Sequence, residues 1–153
     1  MTGAIRAEPF AIPTSASSLA GWFAAPRASG AHPVILVAHS SAGIEEETYG
    51  WARHFAEQGF AAVAVIRRDY PVTGGRPPIK IRWDLRAIED AHAILARLRH
   101  IPGVDAGRVG WFGFSEGASL GYRLAAHLPQ LKAVAGWGGV GAFNFHMAHA
   151  LTK

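Results

Sequence analysis

Two hydrophobic rhythms alternate along the chain. Ile5 to Ile12 and Leu19 to Ala24 read as short strands around the turn-rich segment Pro13 to Ser18, the pattern of an antiparallel hairpin. Pro26 to Pro33 is a loop. Val34 to Ala38 is an unbroken aliphatic run, as a strand buried on both faces would be. The period then lengthens. Across Ile44 to Gln58, Ile44, Thr48, Trp51, Ala52 and Phe55 share one face of a helix. Glu45, Glu46 and Glu47 fall in its first turn, where the helix dipole favours negative charge. Gly59 suits its C′ position. Phe60 to Ile66 is another buried strand, and Arg67 to Lys80, with its Pro and Gly residues, a loop. Ile81 to Arg99 predicts a long helix with Ile81, Leu85, Ile88, Leu95 and Leu98 as its stripe, ended by Pro102 and Gly103. Val109 to Phe112 is a strand. Glu116 to Leu128 is a helix with Gly121, Leu124, Ala125 and Leu128 inward, stopped by Pro129, and Leu131 to Ala135 is a last strand.

Strands alternating with helices behind a hairpin predict an α/β fold: a mostly parallel sheet with flanking helices, preceded by an N-terminal β-hairpin. Ligands then bind beyond the carboxyl ends of the strands. Two segments sit directly after strands and so at that rim: His39 to Gly43, and Ser115. Ser115 is the centre of Gly113-Phe114-Ser115-Glu116-Gly117, a G-x-S-x-G pattern between strand and helix. Such a sharp turn lifts a serine hydroxyl clear of the sheet and places it at a helix N-terminus, where free N–H groups favour an oxyanion.

Composition narrows this picture. The 153 residues, half of them hydrophobic, fit a single domain over 1–153. The absence of Cys excludes disulfides and thiolate chemistry. The net charge of +4 comes from scattered arginines, Arg67 and Arg68 being the densest pair, and no basic patch with stacking or groove-reading elements points to nucleic acid. Arg67, Arg68 and Arg82 read as a solvated face. No window reaches the ~18 apolar residues of a membrane span. The N-terminus lacks the basic start and apolar core of a signal peptide, so a cytoplasmic location is expected. No cofactor is expected, because serine acyl transfer needs none and no G-x-G-x-x-G or P-loop ends a strand. No metal site is expected either, since His146 and His149 lack a clear third ligand.

Three stretches together resemble the dienelactone hydrolase family of the α/β-hydrolase fold. They are His39-Ser40-Ser41-Ala42-Gly43 with the later Gln58-Gly59-Phe60-Ala61-Ala62; Val104-Asp105 leading to Arg108-Val109-Gly110; and Gly113-Phe114-Ser115-Glu116-Gly117. The resemblance implies a serine hydrolase that cleaves a small-molecule carboxylic ester or lactone through an acyl-Ser115 intermediate. Dienelactone hydrolase proper uses cysteine where this chain has Ser115. The resemblance also implies an oxyanion hole built from the backbone N–H groups of Glu116 and Ser41. The Glu116 side chain is expected to face solvent or line the pocket, and His39 to shape its loop by hydrogen bonding.

In this fold an acid and a histidine follow the nucleophile. No Asp or Glu occurs after Glu116, and the late histidines are His127, expected to face solvent, His146 and His149. The resemblance covers roughly the first two-thirds of a family member, as if truncated after the sixth strand. Three readings stay open. The chain is a fragment of an ester hydrolase; or it completes its site with His146 or His149, an upstream acid such as Asp69, or a partner subunit; or it is a non-catalytic binding or assembly protein with an inherited pocket. The last strand, lacking a neighbour, is an apolar edge that favours homo-oligomer formation.

Overall fold

Nine elements make up the described residues, which in this computed structural model are 4–13, 18–40, 45–65 and 85–138. They are β1 (Ile5–Pro13), β2 (Ser18–Pro26), β3 (His32–Ala38), α1 (Glu45–Glu57), β4 (Ala61–Val65), α2 (Leu85–Leu98), β5 (Val104–Phe114), α3 (Glu116–His127) and β6 (Leu131–Trp137). The strands form one sheet in the order β1-β2-β4-β3-β5-β6. β1 pairs antiparallel with β2, and β2 antiparallel with β4. The three remaining pairs, β4 with β3, β3 with β5 and β5 with β6, are parallel. This is the expected mostly parallel sheet behind a hairpin.

The burial of β3 and β4 follows from their continuous apolar sequence. Both faces are covered, so both sets of side chains are apolar. On one face Val34, Leu36, Val63, Val109 and Trp111 pack with Ile94 and Leu98 of α2 and Leu120 and Leu124 of α3. On the other, Val37, Ala62, Ala64 and Phe114 pack with Ala52 of α1, and Trp51 and Phe55 lie against them. Fully burying a side chain such as Val34, Val63 or Leu98 contributes about 1.5–3 kcal/mol. Gly59 ends α1 as expected. Its φ is 95°, the Phe60 N–H donates to Phe55 O at 3.1 Å, and its own N–H donates to Ala56 O at 3.1 Å, the paired bonds of a Schellman motif.

Three expectations are corrected. β5 starts at Val104 rather than Val109, because an irregularity lets it pair earlier: Pro33 faces Asp105 and Val34 faces Val109. The Asp105 carboxylate holds that irregularity, accepting from the Gly107 N–H at 2.9 Å and from Arg108 Nε. Ala125 is exposed rather than inward, since α3 rests on β5 and β6 through Ala118, Gly121 and Leu124 and turns its neighbour outward. The α2 stripe also contains Ala91 and Ile94, which complete a face broader than the predicted row. The expected loop Arg67 to Lys80, with Asp69, and Arg82 lie outside the described residues, as do Ile44 and Ile81. No helix among the described residues is long and apolar enough to cross a membrane.

Candidate active site

β5 stops at Phe114 and α3 begins at Glu116, so the whole change of direction falls on Ser115. Its φ is 46° and its ψ −105°, and it is the one non-glycine with positive φ among the described residues. A side chain held there costs of order 1–3 kcal/mol, which the surroundings must over-determine. Hydrogen bonds to its own main chain do so. The Ser115 N–H donates to Trp137 O at 2.9 Å, at the end of β6. The Ser115 carbonyl accepts from the Ser119 N–H at 3.1 Å and from Ser119 Oγ at 3.2 Å.

Three glycines bring the surrounding layers close enough. A Cβ at Gly113 would lie 2.3 Å from Gly117 C, and one at Gly117 would lie 2.6 Å from both Ala38 O and His39 O. The first turn of α3 is therefore pressed against the end of β3. Further along, a Cβ at Gly121 would lie 2.2 Å from Trp111 Cδ1. The indole occupies that gap, and its Nε1–H donates to Gly117 O at 2.9 Å in the interior. Trp111 thus ties β5 to the helix that starts at the serine.

Ser115 occupies the N-cap position of α3, yet makes no side-chain cap hydrogen bond. Serine at an N-cap ordinarily spends its oxygen on the N–H of the second or third helical residue. Here the hydroxyl is exposed and uncommitted to the helix. The Glu116 N–H opens the helix, where the first N–H groups have no intrahelical acceptor. Glu116 as a residue is 8% exposed, which overturns the solvent-facing alternative: with α3 pressed onto β3, the first turn is enclosed.

His39 is 3% exposed, and its Nδ1 lies 2.7 Å from Ser40 O. A carbonyl only accepts, so Nδ1 carries the proton in this contact, and the imidazole shapes the loop as expected. Because His39 O touches the first turn of α3, the loop leaving β3 starts beside the serine. Ser41, the expected second oxyanion donor, lies outside the described residues, and so do His146 and His149. His127, in the last turn of α3, is exposed. Sequence reasoning missed Ser119 and Trp111, although a serine and an indole at fixed spacings around the elbow were there to be read. A cleft of about 520 Å³ lies elsewhere, between the hairpin and α1, lined by Trp22, Tyr49 and Arg53 among others. Among the described residues no three His, Cys, Asp or Glu side chains converge as metal ligands would.

A strand, a strained serine and a helix locked by small residues constrain the ancestry of the chain, and the model of the dienelactone hydrolase family matches residues 19–151. The chain belongs to the dienelactone hydrolase family. A Salmonella typhi protein, assigned by name only as a carboxymethylenebutenolidase, is 32% identical to this family member over 147 residues, covering 90% of the chain and 54% of the relative. Esterase FrsA of Salmonella paratyphi B is 31% identical over 137 residues, 88% of the chain and 32% of that protein. A Klebsiella pneumoniae crystal structure, likewise named as a dienelactone hydrolase, superposes with a TM-score of 0.72 at 28% identity, over 86% of this chain and 59% of the other. The α/β-hydrolase fold is thereby established for this dienelactone hydrolase family member. It spans about half the length of the first of these relatives.

Proposed function

We propose that this dienelactone hydrolase family chain supplies the nucleophile and oxyanion hole of a hydrolase acting on small-molecule carboxylic esters or lactones. The observation that carries the reading is Ser115, held at φ 46° with its hydroxyl free of the helix cap. In this reading Ser115 Oγ attacks the substrate carbonyl carbon as a base takes its proton. The carbonyl oxygen becomes an oxyanion and accepts from the N–H groups of Glu116 and Ser41. The intermediate collapses to acyl-Ser115, and the leaving alkoxide takes up the proton. Water then repeats the sequence and frees the acid. Removing a single oxyanion donor elsewhere costs ~2.7–4 kcal/mol, the scale asked of each N–H. Names of relatives support the ester class: one is an esterase.

The base is the open part of the mechanism. In a second reading the chain forms the adduct slowly or only binds the ester. Oxyanion hole and binding alone leave ~10³–10⁴-fold catalysis over water. A fluorophosphonate probe and p-nitrophenyl acetate separate the readings. Rapid labelling at the Ser115 peptide with turnover, both abolished by Ser115→Ala, supports the hydrolase. Loss in His146→Ala or His149→Ala would locate the base in the tail. Labelling that survives Ser115→Ala sinks the assignment, and stoichiometric labelling without turnover supports the binding reading. Among the described residues β6 is the last strand in the sheet order, and Ala135 to Trp137 are exposed, so pairing of two copies through it is part of the proposal. Monomeric sedimentation at high concentration would count against that pairing.

A further inference from the structure

The Ser115 carbonyl and the Glu116 N–H are the two ends of one planar peptide unit. We infer that Ser119 is a positioning residue that fixes and polarises this peptide, and so tunes the Glu116 N–H as an oxyanion donor. The inference rests on the reading of Ser115 as nucleophile and adds a residue that acts through the backbone.

Two donors from Ser119 converge on one oxygen. Its N–H reaches Ser115 O at 3.1 Å, the ordinary fourth-neighbour bond of a helix. Its Oγ reaches the same oxygen at 3.2 Å, which the helix does not require. Ser119 is 5% exposed, so bulk water does not compete for that bond. In a trans peptide the C=O and N–H point in opposite directions, so anchoring the carbonyl aims the Glu116 N–H away from the helix. The other flank is fixed as well, because the Ser115 N–H is committed to Trp137 O at 2.9 Å. The peptide plane between a strained residue and its helix therefore has little freedom to swing. Hydrogen bonds to a carbonyl also polarise the amide: cooperative strengthening is ~10–30% per bond. Alanine is the better helix former at an interior helical position, and Ser119 departs from it.

The test compares wild type, Ser119→Ala and Ser119→Thr in the full chain. Alanine keeps the N–H bond and deletes the hydroxyl; threonine restores the hydroxyl. Expected for Ser119→Ala is a fluorophosphonate labelling rate at Ser115 lowered about 3–10-fold, the size of one hydrogen bond. KM for p-nitrophenyl acetate and the melting temperature should stay unchanged. The Glu116 amide proton should move upfield by NMR, and Ser119→Thr should recover both rate and shift. Wild-type labelling and amide shift in Ser119→Ala would overturn the inference, and so would a rate loss that tracks loss of folded protein. Should wild type itself fail to label, the nucleophile reading falls, and the Glu116 amide shift alone then decides for or against Ser119.

Discussion

Adding one methyl group at Gly117 tests how closely the elbow is packed. A Cβ there would stand 2.6 Å from Ala38 O, 2.6 Å from His39 O and 2.9 Å from Ala38 C, where ordinary contact begins at 3.4 Å. The gap to close is thus 3.4 − 2.6 = 0.8 Å. All three atoms are backbone, so no side-chain rotation relieves them. Ala38 pairs with Val65 on one side and Gly113 on the other, which holds it in the middle of the sheet. The movement must therefore come from α3, and it carries Ser115 along. Overpacking of this kind costs ~1–3 kcal/mol. Gly50, inside α1 with nothing within 4 Å of its added Cβ, is the control, where the same substitution should stabilise by ~0.5–1 kcal/mol. Urea unfolding followed by far-UV circular dichroism reads both. Displacements near 1 Å at a reacting centre cost up to ~10²-fold, so Ser115 labelling in Gly117→Ala should fall by at least ~10-fold. If Gly117→Ala were as stable as Gly50→Ala, or labelled at the wild-type rate, the close approach of α3 to β3 would be wrong.

Ser115→Gly should remove the strain at φ 46° and, since no cap bond is lost, raise stability by about 1 kcal/mol while abolishing labelling; thermal melts beside Ser115→Ala, which keeps the strain, check it. Asp105 has its pKa held below the usual 3.8 first by the Arg108 side chain and then by the Gly107 N–H. A depressed carboxylate stabilises above its unfolded pKa and loses that contribution as pH falls through the folded value. Asp105→Asn should therefore be less stable than wild type at pH 7, with the two converging as the pH drops below 3.8 in unfolding titrations.

Strand and helix order was legible because β3 and β4 are buried on both faces and so read as unbroken apolar runs, while α1 and α2 keep a helical stripe. The Gly59 stop was legible because a left-handed residue with two capping bonds demands glycine. The extension of β5 to Val104 was not, because its pairing depends on the Asp105 turn, a tertiary irregularity rather than a periodicity. Ala125 was misplaced for a related reason: helical spacing fixes which residues share a face, and only the sheet beneath decides how wide the buried face is. At the site, the pattern around Ser115 marked the turn. The burial of Glu116 and the second bond from Ser119 depend on how far α3 is pressed onto its neighbours, which spacing alone does not encode.

The bond from the Ser115 N–H to Trp137 O joins main chain to main chain. Its demands are unlike those of a side-chain contact. Every residue, proline included, presents a main-chain carbonyl at position 137, so the acceptor itself is blind to what is substituted there. The elbow is sensitive to how many residues separate the end of α3 from that carbonyl. A single deletion between Leu128 and Gly136 would slide β6 along β5 and remove the acceptor, although every residue of the G-x-S-x-G motif remained. This hydrolase-like centre therefore tolerates change of spelling in β6 and does not tolerate change of length.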